Sequence, residues 1–226
     1  MNIKSTLVLL GTIALLLFLL GCSNENAAGG GYLYTRDQAE NVWDAVAKGK
    51  ITYQNEDDGN RNVNAYVYKP KDLPSELTGV VLGRGSGNAE WQNTKWAGHL
   101  ARMAKRGYVV IFPLDFKGNN LEQGSGDLYW AARYLKDTYG ITKLACGGTS
   151  WGHSAALELV QEYADDPVIQ CDVYFNIGGA LKKDRGGLPS ADLVGPREIA
   201  KMEVPAFFMV GGDDQHKINQ QDVIIA

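Results

Sequence analysis

The chain has 226 residues, 45% hydrophobic and 21% charged, with 22 basic against 26 acidic side chains. That length and apolar content allow one domain with a substantial core, while a net charge of −4 without a basic patch argues against a nucleic-acid partner. Three cysteines, with no CxxC pair and no His/Cys cluster, suggest no metal site, and no cofactor is expected.

Residues 1–21 read as a targeting segment. Lys4 is the single charge before an apolar run from Leu7 to Leu20, which is short for a membrane span and suits the core of a signal peptide. The run ends in Leu19-Leu20-Gly21-Cys22, which resembles a bacterial lipobox. That resemblance implies cleavage before Cys22, lipid on its sulfur and a site in the cell envelope outside the cytoplasm. An uncleaved anchor and ordinary secretion are the alternatives. Loss of Lys4 would leave 21 basic against 26 acidic residues, a net charge of −5. Residues 22–31 are polar and Gly-rich, a flexible tether, and 32–226 form one domain. Cys146 and Cys171 lie in or beside apolar runs and are expected to be buried free thiols. A disulfide between them is allowed outside the cytoplasm.

Thr35 is placed to cap a short helix from Arg36 to Ala47, ended by Lys48-Gly49. Ile51–Gln54 and Val63–Tyr68 read as strands around the polar run Asn55 to Asn60, a solvated hairpin tip in preference to a calcium site. Gly79–Gly83 is a short apolar strand, followed by the loop Arg84-Gly85-Ser86-Gly87-Asn88. Glu90 to Arg106 is amphipathic, with Trp96, Leu100, Met103 and Ala104 inward. Tyr108–Phe112 is continuously apolar, as in a strand covered on both faces. A Gly- and Asn-rich loop runs to Gly126, and Asp127–Tyr139 reads as a helix with Leu128, Ala131, Ala132 and Leu135 inward. A strand at Lys143–Gly147, a helix at His153–Tyr163 and a strand at Val173–Ile177 follow. An irregular stretch, 178–203, then leads to a last strand at Ala206–Val210. From residue 79 strands and helices alternate, which predicts an α/β fold: a mostly parallel sheet with helices on both faces and an antiparallel N-terminal hairpin.

Between the strand at 143 and the helix at 153 lies Gly148-Thr149-Ser150-Trp151-Gly152. It fits Gly-x-Ser-x-Gly, a nucleophile elbow in which a serine sits on a tight strand-to-helix turn and the glycines leave room for it. Three further pieces occur in a matching order. They are the strand and glycine loop Val80 to Asn88, the series Trp96, Leu100-Ala101, Gly107-Tyr108-Val109-Val110-Ile111, and Val204-Pro205 with the strand at 206 and Gly211-Gly212-Asp213-Asp214. Over Val80 to Ile218 the chain resembles the α/β-hydrolase family, and within it the secreted polyester-hydrolase, cutinase and dienelactone-hydrolase branch.

The resemblance implies Ser150 as nucleophile, attacking an ester carbonyl to form an acyl-enzyme. It implies backbone N–H donors for the oxyanion at Trp151 and, by position, Ser86. The His-Gly pair common before that second donor is replaced by Arg84-Gly85. Asp214 is the implied acid, with Asp213 as alternative. The base should be a histidine following the acid. His99 shares a helix face with Trp96 and Met103 and reads as packing or surface. His153 should point along the elbow helix, away from the serine hydroxyl, and His216 is only two residues past Asp214. The resemblance therefore implies that a final strand, a final helix and the catalytic histidine lie beyond Ala226. Trp91, Trp96, Trp151 and Tyr129 are candidates to line an apolar cleft, Trp151 foremost as a contact for an acyl or aryl group. Small-molecule or polymeric esters are the implied substrates. A non-catalytic binding or scaffold lipoprotein, or a peptidase or acyltransferase on the same fold, are competing readings, and oligomeric state is not readable.

Overall fold

Valine, alanine and tyrosine alternate along residues 61–70, and the strand they form has two different faces. In the computed structural model, which describes residues 45–85, 87–117, 120–178 and 202–209, this is β2 (Arg61–Pro70), paired antiparallel with β1 (Val46–Asn55) from Val46↔Pro70 to Asn55↔Arg61. Val63, Ala65 and Val67 face one half of the core and Tyr68 the other. The helix expected over 36–47 does not reach its predicted end: Val46, Ala47 and Lys48 belong to β1, and residues 36–44 lie outside the described residues. Tertiary contact overrides local propensity here. The Lys48 ammonium lies 3.9 Å from the Tyr66 ring centroid and 5.2 Å from that of Tyr68, a cation–π contact that rewards the extended pairing.

The hairpin tip is not simply solvated, as expected, but docked. Asp58 accepts from Arg61 Nε at 2.5 Å and from Lys117 Nζ at 2.8 Å. Arg61 also pairs with the fully buried Asp127. Asn55 Nδ2 donates to Asp127 at 2.8 Å, and Trp130 Nε1 donates to Asp57 at 2.9 Å. Two cations thus converge on Asp58, in a turn that composition alone reads as water-facing. Together they hold Asp58 below the usual carboxylate range, the Lys117 hydrogen bond contributing most.

The remaining elements are β3 (Thr78–Gly83), α1 (Ala89–Lys105), β4 (Tyr108–Pro113), α2 (Leu121–Tyr139), β5 (Lys143–Thr149), α3 (Trp151–Glu162), β6 (Val173–Ile177) and β7 (Ala206–Met209). The sheet order is β1-β2-β4-β3-β5-β6-β7. β2 runs antiparallel to β4, and every later neighbour is parallel. Leu100, Ala101 and Ala104 of α1 pack one face against Val80, Leu82, Val110 and Phe112. Leu128, Ala131 and Leu135 of α2 and Ala155 and Leu159 of α3 cover the other, against Val81, Ile111 and Cys146. Mostly parallel strands buried on both sides are what the continuous apolar runs at 80–82 and 108–112 demand.

Two expectations are corrected. First, α2 begins at Leu121, six residues before the predicted start. Asn120 is its N-cap, its side chain accepting from Gln123 N at 3.1 Å, so glycines at 124 and 126 lie inside the helix. Gly126 faces the docked hairpin, where a β-carbon would make an ordinary contact with Asn55 Nδ2 at 3.4 Å. Second, Cys146 and Cys171 are disulfide-bonded, with Cα atoms 6.0 Å apart. Their separation of 25 residues carries no signal in sequence. It closes because α3 returns the chain to the strand beside β5, where Ala145 pairs with Val173.

Candidate active site

β3 and β5 are adjacent parallel strands, in register to Gly83↔Gly148. Both therefore release the chain at the same carboxyl edge of the sheet, the edge at which open α/β sheets bind ligands. From β5 the backbone turns into α3 within a single residue. Ser150 makes the turn at φ 51°, ψ −120°, a combination that costs a non-glycine residue of order 1–3 kcal/mol unless its surroundings enforce it.

The surroundings do enforce it, through glycines. A β-carbon on Gly148 would sit 2.3 Å from the Gly152 carbonyl carbon, and one on Gly152 would sit 2.1 Å from Gly83 O. One on Gly83 would meet Gly152 O at 2.6 Å. Main chain touches main chain across the elbow, and Ser150 is left exposed above three buried glycines. Its side chain makes no hydrogen bond that caps α3. Trp151 is the first residue of α3. Its N–H is one of the four at a helix N-terminus without an intrahelical acceptor, at the positive end of the helix dipole. Its side chain is half-buried.

The loop after β3 approaches from the other side. A β-carbon on Gly85 would lie 3.1 Å from Ser150 Cβ, 3.6 Å from Gln92 Nε2 and 3.7 Å from Ser150 Oγ. Gly85, the first turns of α1 and the serine thus share one small space. Gln92 was not legible as a site residue: nothing in a lone glutamine near a helix start marks it, and its proximity arises from the packing of α1. Arg84, the departure from the usual His-Gly pair, donates from Nε to Leu114 O at 2.9 Å and from Nη1 to Gly85 O at 2.9 Å and Gly87 O at 3.0 Å. Its Nη2 donates to Phe116 O at 3.2 Å. Burial lowers the guanidinium's pKa, and the Asp115 carboxylate opposes that shift.

His153 is fully buried and turned into the sheet. Its Nδ1 lies 3.2 Å from Asn176 Nδ2 and its Nε2 lies 3.2 Å from Ser154 Oγ. The Tyr174 hydroxyl lies 3.1 Å from Nδ1 and donates to the His153 carbonyl at 3.2 Å. The ring therefore secures the first turn of α3 to β6. His99 packs against Trp96 on α1, with ring centroids 5.4 Å apart.

The expected aromatic cleft is only partly assembled. Tyr129 packs on Tyr163, with centroids 4.4 Å apart, and its hydroxyl donates to Asp166 at 3.2 Å. These partners stand at the C-terminal end of α3, the opposite end from Ser150, so Tyr129 does not line the site. Trp96 packs against the α1 core cluster. Trp91 is 52% exposed, with the Lys95 ammonium 3.6 Å from its ring centroid. Cys22, Ser86, Asp213, Asp214 and His216 lie outside the described residues, as does 179–201 of the irregular stretch.

No known family profile and no curated protein matches the sequence. Solved structures do match. Esterase B from Lactobacillus rhamnosis, solved with a tributyrin phosphonate, gives a TM-score of 0.57 at 15% identity over 84% of this chain and 74% of that one. A dienelactone hydrolase from Anabaena variabilis gives 0.59 at 15% over 80% and 81%. The esterase Est22 gives 0.60 at 12% over 99% and 77%. At such identities the likeness is one of fold: the chain has the α/β-hydrolase fold, with the N-terminal antiparallel hairpin and the mostly parallel sheet described above.

Proposed function

We propose that the chain is a serine hydrolase that cleaves carboxylic esters through an acyl-enzyme on Ser150, held outside the cytoplasm by lipid on Cys22. The observation that carries the reading is Ser150 itself: exposed, at positive φ, on a turn flanked by close glycine contacts. An observed backbone outlier at the carboxyl edge of a sheet is a reason to look for chemistry. The esterases and the dienelactone hydrolase that share the fold support the ester as substrate class.

In this reading Ser150 Oγ attacks the ester carbonyl as its proton passes to a histidine oriented by Asp214. The C–O bond to the alcohol then breaks, with that proton going to the leaving oxygen. Water releases the acid by the reverse sequence. The Trp151 and Ser86 amides and the positive end of α3 stabilise the oxyanion. The base is a histidine other than His153, whose ring is committed to Tyr174, Asn176 and Ser154.

Ser150→Ala is the test. Hydrolysis of short p-nitrophenyl esters and labelling by a fluorophosphonate should both vanish with the melting curve unchanged, and retained turnover would sink the assignment. The disulfide supports a site outside the cytoplasm, because such bonds persist in oxidising compartments. Cys22→Ala should move the protein from the membrane to the soluble fraction; membrane association that resists high salt would refute the anchor.

A further inference from the structure

We propose that His153, held from β6 by Tyr174 and Asn176, is a positioning residue for Ser150; this rests on the esterase reading above. His153, Ser154, Tyr174 and Asn176 are all fully buried, in a layer where α3 otherwise meets the sheet with alanine and leucine. Polar groups in such a place cost free energy unless they are hydrogen-bonded, and what they add over apolar packing is direction. His153 Nδ1 lies 3.1 Å from the Tyr174 hydroxyl and 3.2 Å from Asn176 Nδ2. The same hydroxyl donates to the His153 main-chain carbonyl at 3.2 Å. Burial raises the pKa of that hydroxyl well above the usual tyrosine range, which keeps it protonated and able to donate. β6 therefore holds both the ring and the backbone of one residue, and that residue lies in the first turn of α3.

The tie sits directly beside the elbow. Asn176 is the register partner of Gly148, and a β-carbon on Gly148 would stand 2.6 Å from His153 N. On the other side, Gly152 rests against the Gly83 carbonyl of β3. β5 lies between β3 and β6 in the sheet, so the first turn of α3 is held from both neighbours of the strand that delivers Ser150. The two holds differ in kind. Contact with β3 is repulsive and sets only how near the turn can come. Hydrogen bonds from β6 attract, and their angular preference resists rotation of the turn. Such a rotation would swing Ser150 Oγ and the Trp151 N–H out of place together, because Ser150 and Trp151 open the same helix.

The test places its substitutions on β6 and leaves the elbow and α3 unchanged in sequence. Tyr174→Phe, Asn176→Ala and the double variant are compared with the wild-type full chain in p-nitrophenyl ester turnover, in the rate of fluorophosphonate labelling at Ser150 and in melting temperature. A misplacement of about 1 Å caused by a change remote from the chemistry costs up to about 10²-fold in rate. Each single variant keeps one of the two β6 partners of Nδ1 and should lose about 10-fold in kcat and in the labelling rate constant. The double variant should lose about 10²-fold in both, with KM within about 3-fold of wild type, and its labelling should still run to completion. Variants that melt lower but keep the wild-type kcat per labelled site would show a merely structural network and overturn the proposal, as would a rise in KM alone or a double variant no slower than the singles. If the double variant does not fold, the singles decide, and if neither single folds the network is structural and the proposal falls. Failure of the wild type to label at Ser150 would overturn the esterase reading and this inference with it. An active wild type with equally active variants overturns this inference alone.

Discussion

Gly152 shows how far a single residue can be constrained. A β-carbon there would overlap Gly83 O at 2.1 Å, and neither partner is a side-chain end able to swing aside. β3 is held on both edges by β4 and β5, so relief requires the elbow to move. Gly152→Ala should cost about 1–3 kcal/mol, the usual range for overpacking, and lower ester turnover by more than the unfolded fraction explains. Urea unfolding and p-nitrophenyl ester kinetics on the same preparation check this, and a stability within about 0.5 kcal/mol of wild type would contradict it. At this scale the sequence is informative where geometry is local: Gly-x-Ser-x-Gly between a strand and a helix needs no partner to be read. It marks Arg84 only as a departure from the His-Gly pair, and it is silent on Gln92, which comes near Ser150 only through the packing of α1.

Among the elements, those with regular apolar spacing were legible almost to the residue. Leu128, Ala131, Ala132 and Leu135 are all fully buried on α2, and β3, β4 and β6 match the apolar runs that predicted them. The failures share one cause. The start of α2 was hidden by glycines that read as breakers, and β1 by a Lys-Gly pair that reads as a helix stop. Both are decided by contacts distant in sequence: the docking of the hairpin tip on Asp127 and Trp130 of α2, and the pairing of β1 with β2. The Cys146–Cys171 bond was hidden in the same way. It closes a loop that contains α3 and stitches β5, the strand that delivers Ser150, to the segment entering β6. Loop-closure entropy for the observed separation of 25 residues gives a contribution of about 3.5 kcal/mol. Cys146→Ser/Cys171→Ser should lower the urea-unfolding free energy by about that amount, and dithiothreitol should do the same to the wild type once the protein is transiently unfolded. A double variant as stable as wild type would show the bond to be dispensable.

For the molecule as a whole, alternation of strand and helix after residue 79 was enough to predict a mostly parallel sheet covered on both faces, because each buried strand must be continuously apolar and each crossover must return along the sheet. What alternation cannot convey is how near two chain segments come where they leave the sheet. Around Ser150 that distance is set by the Gly83–Gly152 contact, in which main-chain atoms rest on one another with no side chain between them. The spacing between the elbow and the neighbouring loop is therefore a property of van der Waals radii common to all amino acids. Side chains beside the elbow, Gln92 and Trp151 among them, can change without retuning that spacing. A scaffold calibrated by its backbone holds its geometry while its side chains change, and the fold is shared with solved structures at 12–15% identity.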